Sequence, residues 1–529
     1  MRARFLTFLA AIVATAALSA CTGTPPKVSA AAGSTFTYAN GVEVMSSWDP
    51  ATGASNEVLA LSNIYEQLTR YDSESGDVVP LLATSWTTSK DGLTWTFSLR
   101  RGVKFTTGRP MTAEAAKAAI DRTIELGGGA AYEWGAVKDI QAKDESTLIF
   151  HLSYAAPLDL IASSAYSAYI YDVQAAEGDL AEWFEKGNTA GTGPYVVDQW
   201  QKGQEKELTL TANADYWGGW DGEHYKQVVF RTVPQETTAA QLLQSGQVTF
   251  VQRLSSATLN SLASDPNVVT TQTSSFENLL AMLNTASGPL TEVDVRRAVA
   301  KAIDYDGIVA AMQGQMTKAD GVVPAGLLGH SAELSPETDV AAARELLTRA
   351  GYGDAGKGLT LTLTYASGSP ELETVVTLLK SNLAQVGIDL KARALSWETQ
   401  WAVGKSEDPG QRQDIFLFYW YPDYADPISW FINLYRSANP VAFNLSYLND
   451  PAIDQRIDQL SKLTATDRHA AEVAYVDLQR FVADKAVSPV LGVLNNQRAY
   501  LAGVHGYVDN PAYSNVVFFH ELKPAVGQP

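Results

Sequence analysis

The sequence predicts an α/β protein, and three observations carry that expectation. Thr94-Trp95-Thr96-Phe97-Ser98-Leu99 alternates polar and apolar residues, as a half-buried strand does. Further on, Leu361, Leu363 and Tyr365 alternate in the same way. Leu372, Val375, Val376, Leu379 and Leu383 then fall on one helical face, and a second strand starts at Ile388, which together read as a β-α-β unit. Finally, strands alternating with helices along 529 residues imply a sheet covered on both faces and more than one core.

In chain order, the first 20 residues read as a secretory signal. Arg2 and Arg4 precede an apolar run from Phe5 to Leu18, and small residues follow. Leu18-Ser19-Ala20-Cys21 resembles the bacterial lipobox, in which the cysteine is lipidated and becomes the first mature residue. Cys21 is the only cysteine of the chain, so disulfides, thiolate metal sites and a cysteine nucleophile are all excluded. Residues 21–34, rich in Thr, Gly, Pro, Ser and Ala, read as a flexible tether, and the folded part is expected from about Thr35.

Lys90-Asp91-Gly92 is a turn signal that would join Ser85–Thr88 to the strand at Thr94 as a hairpin. Pro110 and Thr112 open an Ala-rich helix to about Ile124, with Thr112 as its N-cap. Leu148, Phe150 and Leu152 mark another strand. A helix is expected from Thr291, with Asp294 as capping-box partner. Gly387 can end the helix of the β-α-β unit in the left-handed conformation. Phe416 to Trp420 reads as a buried strand, and Pro422-Asp423-Tyr424-Ala425-Asp426-Pro427 as the loop leaving it.

Charge and composition narrow the function. Cleavage after Ala20 removes two arginines and takes the formal charge from −19 to −21, a surface that repels nucleic-acid phosphates. No stretch after the leader is long and apolar enough to span a bilayer. The six histidines form neither His-x-x-x-His nor His-Glu-x-x-His. Ser367 and Ser369 lack the flanking glycines of a nucleophile elbow, and no Walker loop is present. An enzyme is therefore not expected, and no cofactor is implied.

The stretch from Val79 through Trp86 and Lys90–Phe105 to Gly108-Arg109-Pro110-Met111-Thr112-Ala113-Glu114 resembles the signature of the family 5 extracellular solute-binding proteins, the peptide/nickel/opine-type receptors of ABC importers. Further landmarks follow in order: Trp48-Asp49-Pro50, Tyr65-Glu66-Gln67-Leu68, Gly191-Thr192-Gly193-Pro194-Tyr195, Asn213 with Asp215-Tyr216-Trp217, Leu283-Asn284-Thr285 with Val295-Arg296-Arg297-Ala298, Ala350-Gly351-Tyr352 and Asp450-Pro451. The resemblance implies a two-lobed periplasmic-binding-protein-like clamshell (type II) with an additional domain inserted in the first lobe. Lobe I would comprise 35–62, 190–290 and 505–529, the extra domain 63–189, and lobe II 291–504. Ligand would be engulfed as the hinge closes.

The resemblance also implies site residues. In peptide-binding members an aspartate of this loop pairs with the ligand's α-ammonium, and Asp423 occupies that place; the alternative is an ordinary turn or capping aspartate. A cation in a closed, low-dielectric cleft needs such a carboxylate. Trp420, Tyr421 and Tyr419 would line the adjacent pocket. Trp397 and Trp401 face the cleft or pack in the core, and Asn444 is a polar cleft candidate. Arg296, Arg297 and Asp426 read as structural, and no residue is singled out for a ligand carboxylate. The reading is a monomeric receptor on the outer side of the membrane, held by lipid, that delivers oligopeptides to permease subunits with cytoplasmic ATPases. The alternatives are the same role for oligosaccharide or opine-like solutes, favoured by the aromatic loop, a metal chelate, or a receptor that signals without import.

Overall fold

The computed structural model describes residues 35–53, 55–353, 358–513 and 515–525; the signal, Cys21 and the tether lie outside them. An eleven-stranded sheet runs through the molecule. From one edge its strands are Asp389–Leu395, Thr360–Ala366, Ile415–Trp420, Val268–Leu283, Val490–Leu501, Phe250–Gln252, Thr35–Asn40, Gln227–Thr232, Lys206–Ala212 and Tyr195–Trp200; Met316–Thr317 pairs beside Val490–Leu501. Two long antiparallel strands in the middle, Val268–Leu283 and Val490–Leu501, belong to both halves. Their register breaks between Ser274 and Asn278, where extra residues leave the ladder as in a β-bulge. On one side of that break Val490–Leu501 pairs with Phe250–Gln252; on the other side Val268–Leu283 pairs with Ile415–Trp420. The two long strands thus carry the sheet from one half to the other.

A separate four-stranded antiparallel sheet, in the order Ala83–Thr88, Thr94–Leu99, Thr147–Leu152, Val137–Asp144, stands within the 63–189 segment. Its first hairpin turns at Gly92, whose φ of +74° suits glycine, with Asp91 accepting from Leu93 N at 3.1 Å. The helix Ala113–Leu126 packs on this sheet. The Thr112 side chain caps it by accepting from Ala115 N, and Gly127 ends it in the left-handed region.

The expected β-α-β unit is present. Thr360–Ala366 pairs in parallel with Asp389–Leu395, and the helix Pro370–Gln385 between them buries the five apolar residues of its predicted face. One helix start differs. Pro289–Thr291 forms a 3-10 turn and the α-helix begins at Val293, with no side-chain cap. The Thr291 hydroxyl donates to Gly288 O instead, and Asp294 is engaged by Arg349, so the expected capping box does not form.

Several motif residues share one locking point. Glu66 is fully buried, and its carboxylate accepts from Thr192 Oγ1 (2.8 Å), Tyr216 Oη (2.9 Å) and Trp217 Nε1 (2.7 Å). Gly191 and Gly193 lie against the Ile64 backbone so closely that an added Cβ would stand 2.1 and 2.7 Å from it. Asp49 holds Arg122 through both carboxylate oxygens, tying the start of the chain to the Ala-rich helix. The C-terminal return packs on the first half: Phe519 N donates to Asn63 Oδ1, and the Phe519 ring lies 5.0 Å from Phe36. Arg296, read as structural, bonds three carbonyls, those of Leu290, Thr291 and Lys485.

Candidate functional site

At the end of the buried strand Ile415–Trp420, the Tyr421–Pro427 loop leaves the sheet beside the 63–189 segment. Strand ends of this kind are where open α/β sheets receive ligands. A cavity of about 300 Å³ opens there, and its wall includes Asp423, Trp420, Tyr421, Tyr419, Trp397 and Trp401. The structure therefore brings together six of the seven ligand candidates read from the sequence. Asn444 is the exception. It is buried off this wall, its amide donating to Arg436 O and Leu448 O and accepting from Ser446 Oγ and Leu448 N. Its hydrogen-bonding capacity is used in shaping its own loop, which removes it from the candidates.

Asp423 is half-buried. Its carboxylate accepts from Tyr132 Oη at 2.8 Å and from Asn433 Nδ2 at 3.1 Å, and its carbonyl accepts from Ser164 Oγ at 3.3 Å. Burial pushes its carboxyl up to about 6, against the opposing pull of those two donors. Glu133 lies near it, buried, with one oxygen accepting from Ser167 Oγ and the other unpartnered. Burial and the Asp423 charge hold Glu133 well above the ordinary carboxylate range. The region thus holds two carboxylates, and among the described residues no Lys or Arg pairs with either, an arrangement that favours a positively charged guest.

Aromatic rings make up the rest of the wall. Trp397 opens the helix Trp397–Gly404, capped by Ser396, and is about half exposed. Its ring meets Trp401 edge-on at 5.2 Å, and Trp401 packs in turn on Phe416, Phe418 and Phe443. The two readings of these tryptophans therefore separate: Trp397 presents surface to the cavity, while Trp401 is mostly a packing residue. Tyr421 faces Tyr166 across the cavity at 6.3 Å. Asp426 accepts from Ile428 N and Tyr475 Oη, as a turn aspartate should.

A second cavity, of about 570 Å³, adjoins the first through Tyr419. It lies along the register break of the two long strands and is lined by Arg253, Glu277, Glu371 and Arg498 among others. Sequence reasoning missed these residues, and also Tyr132, Glu133 and Tyr166. The one local signal for the latter group is Gly127-Gly128-Gly129 just ahead of Tyr132-Glu133. Gly129 has φ +53° and sits where a Cβ would meet the Thr52 carbonyl at 2.7 Å, so the run brings the backbone in close.

Comparison with known proteins fits this geometry. Residues 77–441 match the model of bacterial extracellular solute-binding proteins, family 5 Middle. The chain belongs to this family. Among family 5 relatives, the probable D,D-dipeptide-binding periplasmic protein DdpA of Escherichia coli (strain K12) is 30% identical over 484 residues, covering 88% of this chain and 90% of the relative. The nickel-binding periplasmic protein of the same organism is 27% identical over 82% of this chain and 84% of its own. In structure, the periplasmic binding protein DppA from Helicobacter pylori in complex with peptide STSA superposes with a TM-score of 0.76 at 25% identity, over 93% of this chain and 98% of that one. The family 5 fold is a two-lobed binding protein, as expected from the sequence. No described helix is long and apolar enough to cross a membrane, and the described residues contain no cluster of three or more metal-ligating side chains.

Proposed function

We propose that this protein is the extracytoplasmic receptor of an ABC importer and captures oligopeptides between its two lobes. The observation that carries the reading is Asp423. It is a desolvated carboxylate on an aromatic cavity, at a sheet end, bridged by hydrogen bonds to Tyr132 and Ser164 of the 63–189 segment. A peptide's α-ammonium would complete it, and the aromatic wall would take the adjoining side chain. The D,D-dipeptide relative and the peptide-bound structure lend support. The segments 35–62, 190–290 and 505–529 would form lobe I, 63–189 its extra domain and 291–504 lobe II, with the flexing point at the register break near Ser274–Asn278. Hand-over to permease subunits follows closure, with no covalent chemistry. Cys21 would carry the lipid that holds a monomer at the membrane.

The aromatic character of the Tyr419–Tyr424 stretch favours a second reading, an oligosaccharide or opine-like solute stacked on those rings. A thermal-shift assay on residues 22–529 separates the two. Ligand at 100 times its Kd stabilises the folded protein by about 2.7 kcal/mol. Short peptides are expected to raise the melting temperature. A rise with opines or sugars and none with any peptide would overturn the peptide reading.

A further inference from the structure

A smaller cavity, of about 90 Å³, meets the aromatic one, and the two share Tyr132 and Asp423. Its wall also holds Glu133, Ser429 and Asn433, and no Lys, Arg or His lines it. Glu133 is 7% exposed. It sits in the 3-10 turn Ala131–Ala136 and is fixed there from two sides. Ser167 Oγ donates to its Oε2 at 2.6 Å, and Trp134 Nε1 of the same turn donates to Ser167 O at 3.0 Å. The other carboxylate oxygen, Oε1, has no hydrogen-bond partner among the described residues. Ser164 Oγ lies near, but its one proton is directed at the Asp423 carbonyl, and its oxygen accepts from Tyr166 N.

A buried carboxyl with one oxygen unanswered is costly unless a donor or a cation reaches it. A single α-ammonium on Asp423 leaves Glu133 Oε1 as it was. The rest of the small cavity is built for a short apolar arm, with Ala156, Pro157, Ile161, Ile428 and Ile432 in its wall. Its volume takes about three groups of roughly the 30 Å³ of a water, that is, one ammonium and two methylenes. Resting on the peptide reading of Asp423, we propose that Glu133 is a specificity-determining residue that selects peptides whose first residue carries a second ammonium on a short side chain. The α-ammonium pairs with Asp423, the side-chain ammonium enters the small cavity and pairs with Glu133 Oε1, and the rest of the peptide continues along the aromatic wall. The second cation restores the ionised form of a carboxyl that burial and the neighbouring Asp423 charge disfavour.

Titration calorimetry at pH 7 with two matched tripeptides tests this. Diaminobutyryl-Ala-Ala, made with 2,4-diaminobutyrate, and norvalyl-Ala-Ala have side chains of the same length and differ in the ammonium that stands for a terminal methyl. The diaminobutyryl peptide should bind about tenfold or more tightly, the factor a charge-assisted hydrogen bond supplies. Glu133→Gln keeps the shape of the side chain and an acceptor for Ser167 but removes the charge, and should bring the ratio of the two affinities close to one. The first comparison is made on the unaltered protein, so a variant that fails to fold cannot hide the answer. Equal affinities, tighter binding of the norvalyl peptide, or a ratio that survives Glu133→Gln would overturn the inference and leave the peptide reading standing. Binding of another short peptide but of neither probe would do the same. If no peptide binds at all, both are overturned.

Discussion

Acidification should weaken ligand binding through Asp423. Burial raises its carboxyl to about 6, and only the ionised form can pair with an ammonium. With that value about nine-tenths of the free protein is ionised at pH 7 and about one-tenth at pH 5, so the apparent Kd of a peptide should rise about tenfold across that interval. Asp423→Asn removes the charge but keeps the shape, and an acceptor remains for Tyr132. Losing one partner of a desolvated charge pair costs about 2–5 kcal/mol. Affinity at pH 7 should therefore fall from about 30-fold to several thousand-fold, and the Asp423 contribution to the pH dependence should vanish. Stability of the free protein responds in the opposite sense. A carboxyl whose folded pKa is raised holds its proton more tightly when folded. Its stabilisation is full below the ordinary carboxylate value and is lost as pH rises through about 6, and Asp426 acts in the same direction. Titration calorimetry from pH 5 to 8 on both proteins decides the matter. A Kd independent of pH in the wild type, or an Asp423→Asn variant that binds as tightly, would refute the assignment.

Three other outcomes are expected. Gly191→Ala should lower stability by about 3 kcal/mol, because its Cβ would stand 2.1 Å from the Ile64 carbonyl oxygen, a clash with backbone that cannot swing away; a denaturant midpoint measures it. Glu66→Ala should cost at least as much, since Thr192, Tyr216 and Trp217 lose their common acceptor, whereas Glu66→Gln should cost less because an oxygen acceptor remains; equal midpoints for the two variants would contradict this. Cys21→Ser should release the protein from the membrane fraction, and unchanged fractionation would rule out the lipid anchor.

Much of the fold was legible because its signals are local. Alternation marked Thr94–Leu99, the Lys90-Asp91-Gly92 turn fixed its hairpin, and the 3.6-residue period marked the helix Pro370–Gln385. Hydrogen bonding that depends on partners brought in by the fold was less legible. Asp294 answers Arg349 instead of capping a helix, and Asn444 is used up inside its own loop. The stretch 416–427 was legible as a buried strand with a loop leaving it, and the family resemblance singled out Asp423 within that loop as a candidate. Its hydrogen-bond donor Tyr132 was not legible, since it lies 291 residues away in the chain. Arg253, Glu277 and Arg498 come from three separated strands or strand ends, and nothing in the sequence around any one of them points to the other two.

The most direct measurement is a crystal structure with a short peptide such as Ala-Ala-Lys bound. The account predicts the α-ammonium within about 3 Å of the Asp423 carboxylate, with the adjoining side chain against the aromatic wall of Trp397, Trp420 and Tyr421. A peptide seated elsewhere, or one whose ammonium is held by other groups while Asp423 keeps only Tyr132 and Asn433, would contradict it.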